Sequence, residues 1–243
     1  MIGLTHLSPK RALVLFSGGQ DSTTALAYAL VHYDWVETIG FDYGQRHEVE
    51  LTCREVVLAE IKQCFPEWGK KLGPDRVINL ETFSQLSPSA LTDEQAEITT
   101  GPSGLPTSFV PGRNLFFFQY AAVLAFHQNL GHLVGGMCET DYSGYPDCRE
   151  ETLQSLKRSL NLGMATDFEI VTPLMHLTKA ESWRLAFELG GDALITIIRE
   201  ATHTCYKGVR DQLQRWGYGC GACPACQLRR AGYEEWQGAL DGK

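Results

Sequence analysis

Two stretches of this 243-residue sequence gather residue types that do chemistry. The first is FSGGQDSTT, residues 16–24, which ends the apolar run at residues 11–16. A strand that finishes in small residues and turns into a helix leaves several backbone N–H groups facing open space, and the helix dipole adds partial positive charge there. Gly18 and Gly19 allow a bound group to approach the backbone closely. Ser17, Ser22, Thr23 and Thr24 add hydroxyls, Phe16 and Gln20 complete the stretch, and Asp21 suits a Mg²⁺ ion that bridges phosphate oxygens. Gly and Ser also occur in plain strand-to-helix turns, but the whole string S-G-G-x-D-S is more specific than that. The expected occupant is a nucleotide pyrophosphate. The pattern G-x-x-x-x-G-K-[ST] is absent, which disfavours γ-phosphoryl transfer by that route.

The second stretch is CGACPAC, which carries Cys220, Cys223 and Cys226, with Cys205 upstream in HTCY. Two overlapping C-x-x-C turns and a fourth cysteine supply tetrahedral thiolate ligation, the closed arrangement of structural Zn²⁺. A redox pair and an iron–sulfur cluster are the alternatives that the same spacing allows. Cys53 and Cys64 fall on the apolar face of a helix and read as core residues, while Cys138 and Cys148 flank a polar loop and stay ambiguous.

The elements that must hold these groups follow from periodicity. Residues 11–16, 36–41 and 76–80 read as strands, and residues 22–32 and 47–64 as helices. Residues 82–113 are broken by Pro and Gly, and a loop that long is usually functional or disordered. A buried helix at 114–127, a strand at 132–138, a helix at 149–160 and a strand at 168–171 continue the rhythm. Thr178 and Glu181 form a capping box that starts a last helix. Alternation of this kind predicts an α/β fold: one open parallel sheet with helices on both faces, in a single domain over residues 1–243 with a zinc-binding segment at 199–230. The formal net charge of −8 argues against a sequence-independent grip on nucleic acid, although residues 199–230 hold six cations against two anions, which is either a solvated face or a local basic patch that offsets the charge of four thiolates. The N-terminus has no signal-peptide pattern and no segment is apolar for the length of a membrane span, so a soluble, cytoplasmic protein without a membrane partner is expected.

The loop S-G-G-x-D-S resembles that of the PP-loop ATP pyrophosphatases, which cleave ATP between its α and β phosphates to activate a substrate oxygen as an adenylate. Pro173-Leu174 with Lys179 and Glu181 resembles the downstream segment in which a lysine reaches the phosphates. FDYGQRH at 41–47, FVPGRN at 109–114, CETDYSGYPDCR at 138–149, and TCY followed by CGACPACQLR together resemble one family over residues 11–230, the 7-cyano-7-deazaguanine synthases (QueC) of queuosine biosynthesis. Two stretches depart from it. VRDQLQRWGY lengthens the spacing between Cys205 and Cys220, and KQCFPEWGKKLGPD at 62–75 reads as a loop extension.

The resemblance implies ATP, Mg²⁺ and Zn²⁺ as cofactors, and 7-carboxy-7-deazaguanine and ammonia as small-molecule substrates. It implies that the acid is adenylated, converted to the amide, adenylated again and released as the nitrile. Asp21, Lys179 and Arg113 are then expected around the phosphates, and Asp42 and Tyr43 near the adenine or ribose. Glu139, Asp141 and Asp147 are expected to serve as base and to hold the ring, with Tyr142 and Tyr145 stacking on it. His47 is either an ordinary helix-start residue or a catalyst. The competing function is a PP-loop tRNA-modifying enzyme, a thiolase or a lysidine-type ligase, which the acidic balance disfavours. The oligomeric state stays open, a homodimer among the options.

Overall fold

The structure is a computed structural model that describes residues 4–45, 49–86, 89, 99, 101, 104–140 and 145–241. Strands β1 (Arg11–Leu15), β2 (Trp35–Asp42), β3 (Leu72–Asn79), β4 (His132–Val134) and β5 (Glu169–Val171) form one parallel sheet in the order β3-β2-β1-β4-β5. Ala12, Leu13 and Val14 at its centre are wholly buried, which is why β1 is an unbroken apolar run rather than an alternating one.

Helices cover both faces. On one side α1 (Gln20–His32), α2 (Val49–Cys64) and α7 (Lys179–Ala201) pack Leu26, Leu30, Val57, Ile61 and Ile197 over Val14 and Val36. On the other, α5 (Arg113–Gln128) and α6 (Glu150–Met164) pack Phe118, Ala122, Leu153 and Leu160 over Leu13, Ile39 and Leu133. The chain moves outward from β1 through β2 to β3, then crosses to β4 and β5 on the other side. The switch point between β1 and β4 opens a crevice at the carboxyl edge of the sheet, where open α/β folds bind ligands. Gly135 and Gly136 end β4 there, earlier than its expected close at residue 138, and a Cβ on Gly136 would lie 2.8 Å from the backbone of Asp21.

Three expectations change. Residues 62–75 are not a loop extension: they complete α2, fold as α3 (Pro66–Lys71), and begin β3. Pro66 takes the first helical turn, where its missing N–H costs nothing, Phe65 stacks on Trp68 at 4.2 Å, and Gly73 lets the edge strand pass against the Trp35 ring. The helix over residues 113–128 is not buried all round, since Phe116, Tyr120 and Val123 lie exposed on its outer face. Cys64 sits exposed at the end of α2, whereas Cys53 belongs to the core. Within 82–113, a short helix α4 (Glu81–Leu86) precedes residues that are mostly outside the described set. The capping box at Thr178 and Glu181 is present, and α7 is interrupted at Gly191, whose φ of 59° is not helical. Among the described residues no helix is long and apolar enough to cross a membrane.

Behind the first face, Arg54 is almost fully buried and ion-paired to Asp75, with its guanidinium in the space a Gly40 side chain would take and over the Phe16 ring. The pair links α2 to the strands beside the crevice. A third apolar cluster joins α7 to the C-terminal helix α8 (Pro224–Asp241) through Trp183, Tyr233 and Trp236.

Candidate functional site

The loop between β1 and α1 is built by its own residues. Gly18 has φ +88°, and a Cβ there would stand 2.6 Å from the Glu50 carbonyl, so a larger residue is excluded both by conformation and by space. Ser22 Oγ accepts from Ser17 N at 3.2 Å and donates to the Gly19 carbonyl at 3.1 Å. Thr23 donates to the same carbonyl at 2.8 Å, and Thr24 to that of Gln20. Phe16, Gly18, Gln20, Ser22, Thr23 and Thr24 are buried and shape the loop, whereas Ser17, Gly19 and Asp21 reach the surface. Gly19 caps α1 without a side-chain hydrogen bond, and among the described residues the N–H groups of Gln20, Asp21 and Ser22 have no hydrogen-bond partner in the preceding chain. The anion-binding geometry expected from the sequence is therefore a backbone feature, with most hydroxyls used to hold it.

Lys179, the first residue of α7, brings its Nζ to 2.9 Å from both carboxylate oxygens of Asp21, 158 residues away. Its side chain is 8% exposed, and a Cβ on Gly232 of α8 would lie 2.7 Å from it, so this lysine is not a solvated helix-start residue. Across the crevice Arg113 begins α5. Its Nη1 donates to the Tyr43 hydroxyl at 3.2 Å, and the guanidinium lies over the rings of Tyr43 and Phe117. Burial raises the Tyr43 phenol, partly against Arg113. Asp42 turns its carboxylate onto Gly44 N at 3.3 Å, closing the bend after β2.

Sequence reasoning missed Glu50. Burial pushes its carboxyl up to about 7, with Arg113 pulling the other way. It lies in the first turn of α2, a segment read only for its apolar spacing. The available signal was positional, because the helix that follows β2 starts at the same carboxyl edge as the loop.

The acidic segment is divided. Glu139 is exposed and accepts from Glu150 N at 3.2 Å, capping α6. Asp147, in a 3-10 turn at Pro146–Cys148, is buried and accepts from Asn114 N at 3.0 Å, capping α5 in place of the absent Gly112 side chain. Tyr145 is buried with its hydroxyl 2.7 Å from Ser108 Oγ and its ring against Phe109. Asp141, Tyr142 and His47 lie outside the described residues.

The four cysteines converge: the sulfurs of Cys205, Cys220, Cys223 and Cys226 all lie within 4.8 Å of one another. The long spacer folds back as a small antiparallel hairpin, β6 (Leu213–Gln214) with β7 (Gly217–Tyr218), which returns Cys220 to Cys205. Backbone N–H groups of Lys207, Ala222 and Cys223 point at cysteine sulfurs at 3.3–3.5 Å, and a Cβ on Gly219 would lie 2.6 Å from Cys226 Sγ. Four soft donors held by N–H groups that favour thiolates fit a tetrahedral metal ion.

This knuckle touches the loop. His203 N donates to the Gly18 carbonyl at 3.3 Å, and His203 Nε2 donates to the carbonyl of Cys205 at 2.9 Å. Two of the cations in residues 199–230 brace this backbone. Arg229 is buried and donates to the carbonyls of Trp216 and Ile198 and to Thr204 Oγ1, and Arg210 donates to those of Thr202 and Glu200.

Comparison with known proteins identifies the family of the chain. The model of the family described as queuosine biosynthesis protein QueC matches residues 11–237. The 7-cyano-7-deazaguanine synthase of Paraburkholderia phymatum is 58% identical over 223 residues, covering 92% of this chain and 91% of its own. That of Caulobacter vibrioides is 55% identical over 233 residues, covering 95% and 96%. A 4-thiouridine synthetase, solved as an RNA complex with bound ATP, matches in fold with a TM-score of 0.51 at 18% identity, over 80% of this chain and 44% of that one.

Proposed function

The chain belongs to the QueC family of queuosine biosynthesis proteins, and on that premise we propose that it converts 7-carboxy-7-deazaguanine and ammonia to 7-cyano-7-deazaguanine at the cost of two ATP molecules, each cleaved to AMP and pyrophosphate. The observation that carries the reading is the convergence of Asp21 and Lys179 at the glycine loop. A carboxylate oxygen of the substrate attacks the α-phosphorus, and pyrophosphate leaves. Ammonia displaces AMP to give the amide, whose oxygen attacks a second ATP. Loss of that AMP and the last nitrogen-bound proton leaves the nitrile.

The chain's own groups divide this work. The first-turn N–H groups of α1, with Ser17 and Gly19, hold the phosphates and receive charge as the α–β bond breaks. Lys179 supplies a fixed cation beside them, and Arg113 clamps a carboxylate or phosphate from the opposite wall. Asp42 and Tyr43 bound the nucleoside side of the crevice, and the ring nitrogens are assigned to Glu139 and Asp141 on the family resemblance alone. Asp21 would hold Mg²⁺, which would supply positive charge to the leaving pyrophosphate. Cys205, Cys220, Cys223 and Cys226 would hold Zn²⁺ in a closed structural site with no position for substrate. The acidic net charge and the internal use of Arg210 and Arg229 support small-molecule substrates over tRNA.

Mass spectrometry of a reaction containing the carboxy-deazaguanine, ammonia and MgATP tests the proposal. The amide should rise and decay as the nitrile accumulates. ATP consumption without either product would overturn it.

A further inference from the structure

We propose that Glu50 is the catalytic residue that takes protons from nitrogen, an assignment that rests on the nitrile-forming reading above. Its position is the first argument. The opening turn of α2 presses on the phosphate loop, with the Glu50 carbonyl 2.6 Å from where a Gly18 Cβ would stand. The backbone of the residue is therefore fixed against the loop proposed to hold ATP.

Its company is the second. The charged or titratable groups that act on Glu50, or on which it acts, are Arg113 from the start of α5, Tyr43 from the end of β2 and Cys53 from its own helix. Arg113 and Tyr43 are hydrogen-bonded to each other at the carboxyl edge of the sheet, and both lie within electrostatic reach of the Glu50 carboxyl. An arginine there can orient an anionic substrate group while the carboxylate accepts a proton from the atom bonded next to it.

The third argument is availability. The Glu139 and Asp147 carboxylates accept from helix N–H groups, and Asp21 is paired with Lys179. Among the described residues the Glu50 carboxylate has no hydrogen-bond or ion-pair partner, and it is partly exposed. Its carboxyl, raised to about 7, matches a base that must gain and lose a proton each turnover near neutral pH.

The proton balance is as follows. In the amide step Glu50 takes one proton from ammonium, and the freed lone pair forms the C–N bond as AMP leaves with the C–O electrons. The surplus proton on the new amide nitrogen passes to water. After the amide oxygen is adenylated, one nitrogen proton again passes to water and the last goes to Glu50. The electrons of that N–H bond become the third C–N bond, and AMP departs with the electrons of the breaking C–O bond. Glu50 returns its proton to solvent after each of the two steps, so that it is ionised again before the amide is adenylated.

The test starts from the isolated amide and MgATP, so that ammonium does not titrate in the profile. Nitrile formation by the wild-type enzyme is established first, and its failure would overturn the underlying reading instead. Wild-type kcat should rise tenfold per pH unit below about 7 and level above it. Glu50→Gln should lower kcat at least about 100-fold and remove that inflection, with ATP affinity and melting temperature unchanged. Glu50→Asp should keep the inflection at a reduced rate. A Glu50→Gln enzyme that retains the rate or the inflection would refute the assignment. A flat wild-type profile, or a variant that loses ATP binding or its fold together with activity, would also refute it.

Discussion

Asp21→Asn is expected to lower kcat by about 100-fold or more, a loss of roughly 3 kcal/mol of transition-state stabilisation, while the protein stays folded. Asparagine keeps an oxygen that can accept from Lys179 Nζ, so the buried lysine retains a partner. It removes the negative charge, and with it the ligand proposed for Mg²⁺ beside the phosphates. Asp21→Ala should lose as much turnover and also melt earlier, because it strands Lys179 with a side chain only 8% exposed. The two variants therefore separate charge from structure. Assays of kcat with calorimetric melting check both, and a wild-type rate in Asp21→Asn would show that the metal is held elsewhere.

Cys223→Ser is expected to lose stoichiometric zinc and about 3 kcal/mol of stability, or roughly 10 °C in melting temperature. Cys223 is buried, and its sulfur is one of four within 4.8 Å. The effect should not stop at stability. Cys205 is tied through His203 to the Gly18 carbonyl, and α8, which begins beside Cys223, backs Lys179 through Gly232. Loosening the knuckle should thus raise KM for ATP in the variant below its melting point. Elemental analysis reads the metal and steady-state kinetics the KM. Unchanged zinc content would remove Cys223 from the ligand set.

Groups that act within a few residues of each other were legible. The glycine loop, the C-x-x-C turns and the Thr178 cap are local patterns, and each sits where its residue types demand. What could not be read is pairing across the chain. Lys179 was expected near phosphate from its motif, but its contact with Asp21 exists only because α7 starts at the sheet edge that holds the loop. Glu50, Arg113 and Tyr43 come from three separate segments, and no spacing links them. Residues 62–75 misled because Pro66, Gly73 and Pro74 look like loop punctuation, yet one starts a helix and another clears the Trp35 ring. The exposed stripe Phe116, Tyr120 and Val123 was hidden in an apolar run that periodicity alone reads as core.

The central claim is that the substrate's own carboxylate oxygens leave on AMP. Turnover of 7-carboxy-7-deazaguanine labelled with ¹⁸O in both carboxylate positions tests it directly by mass spectrometry of the nucleotide products. The account predicts two AMP molecules per nitrile, each carrying one ¹⁸O, with unlabelled pyrophosphate. Label in orthophosphate alongside ADP, or label released into water with unlabelled AMP, would contradict it.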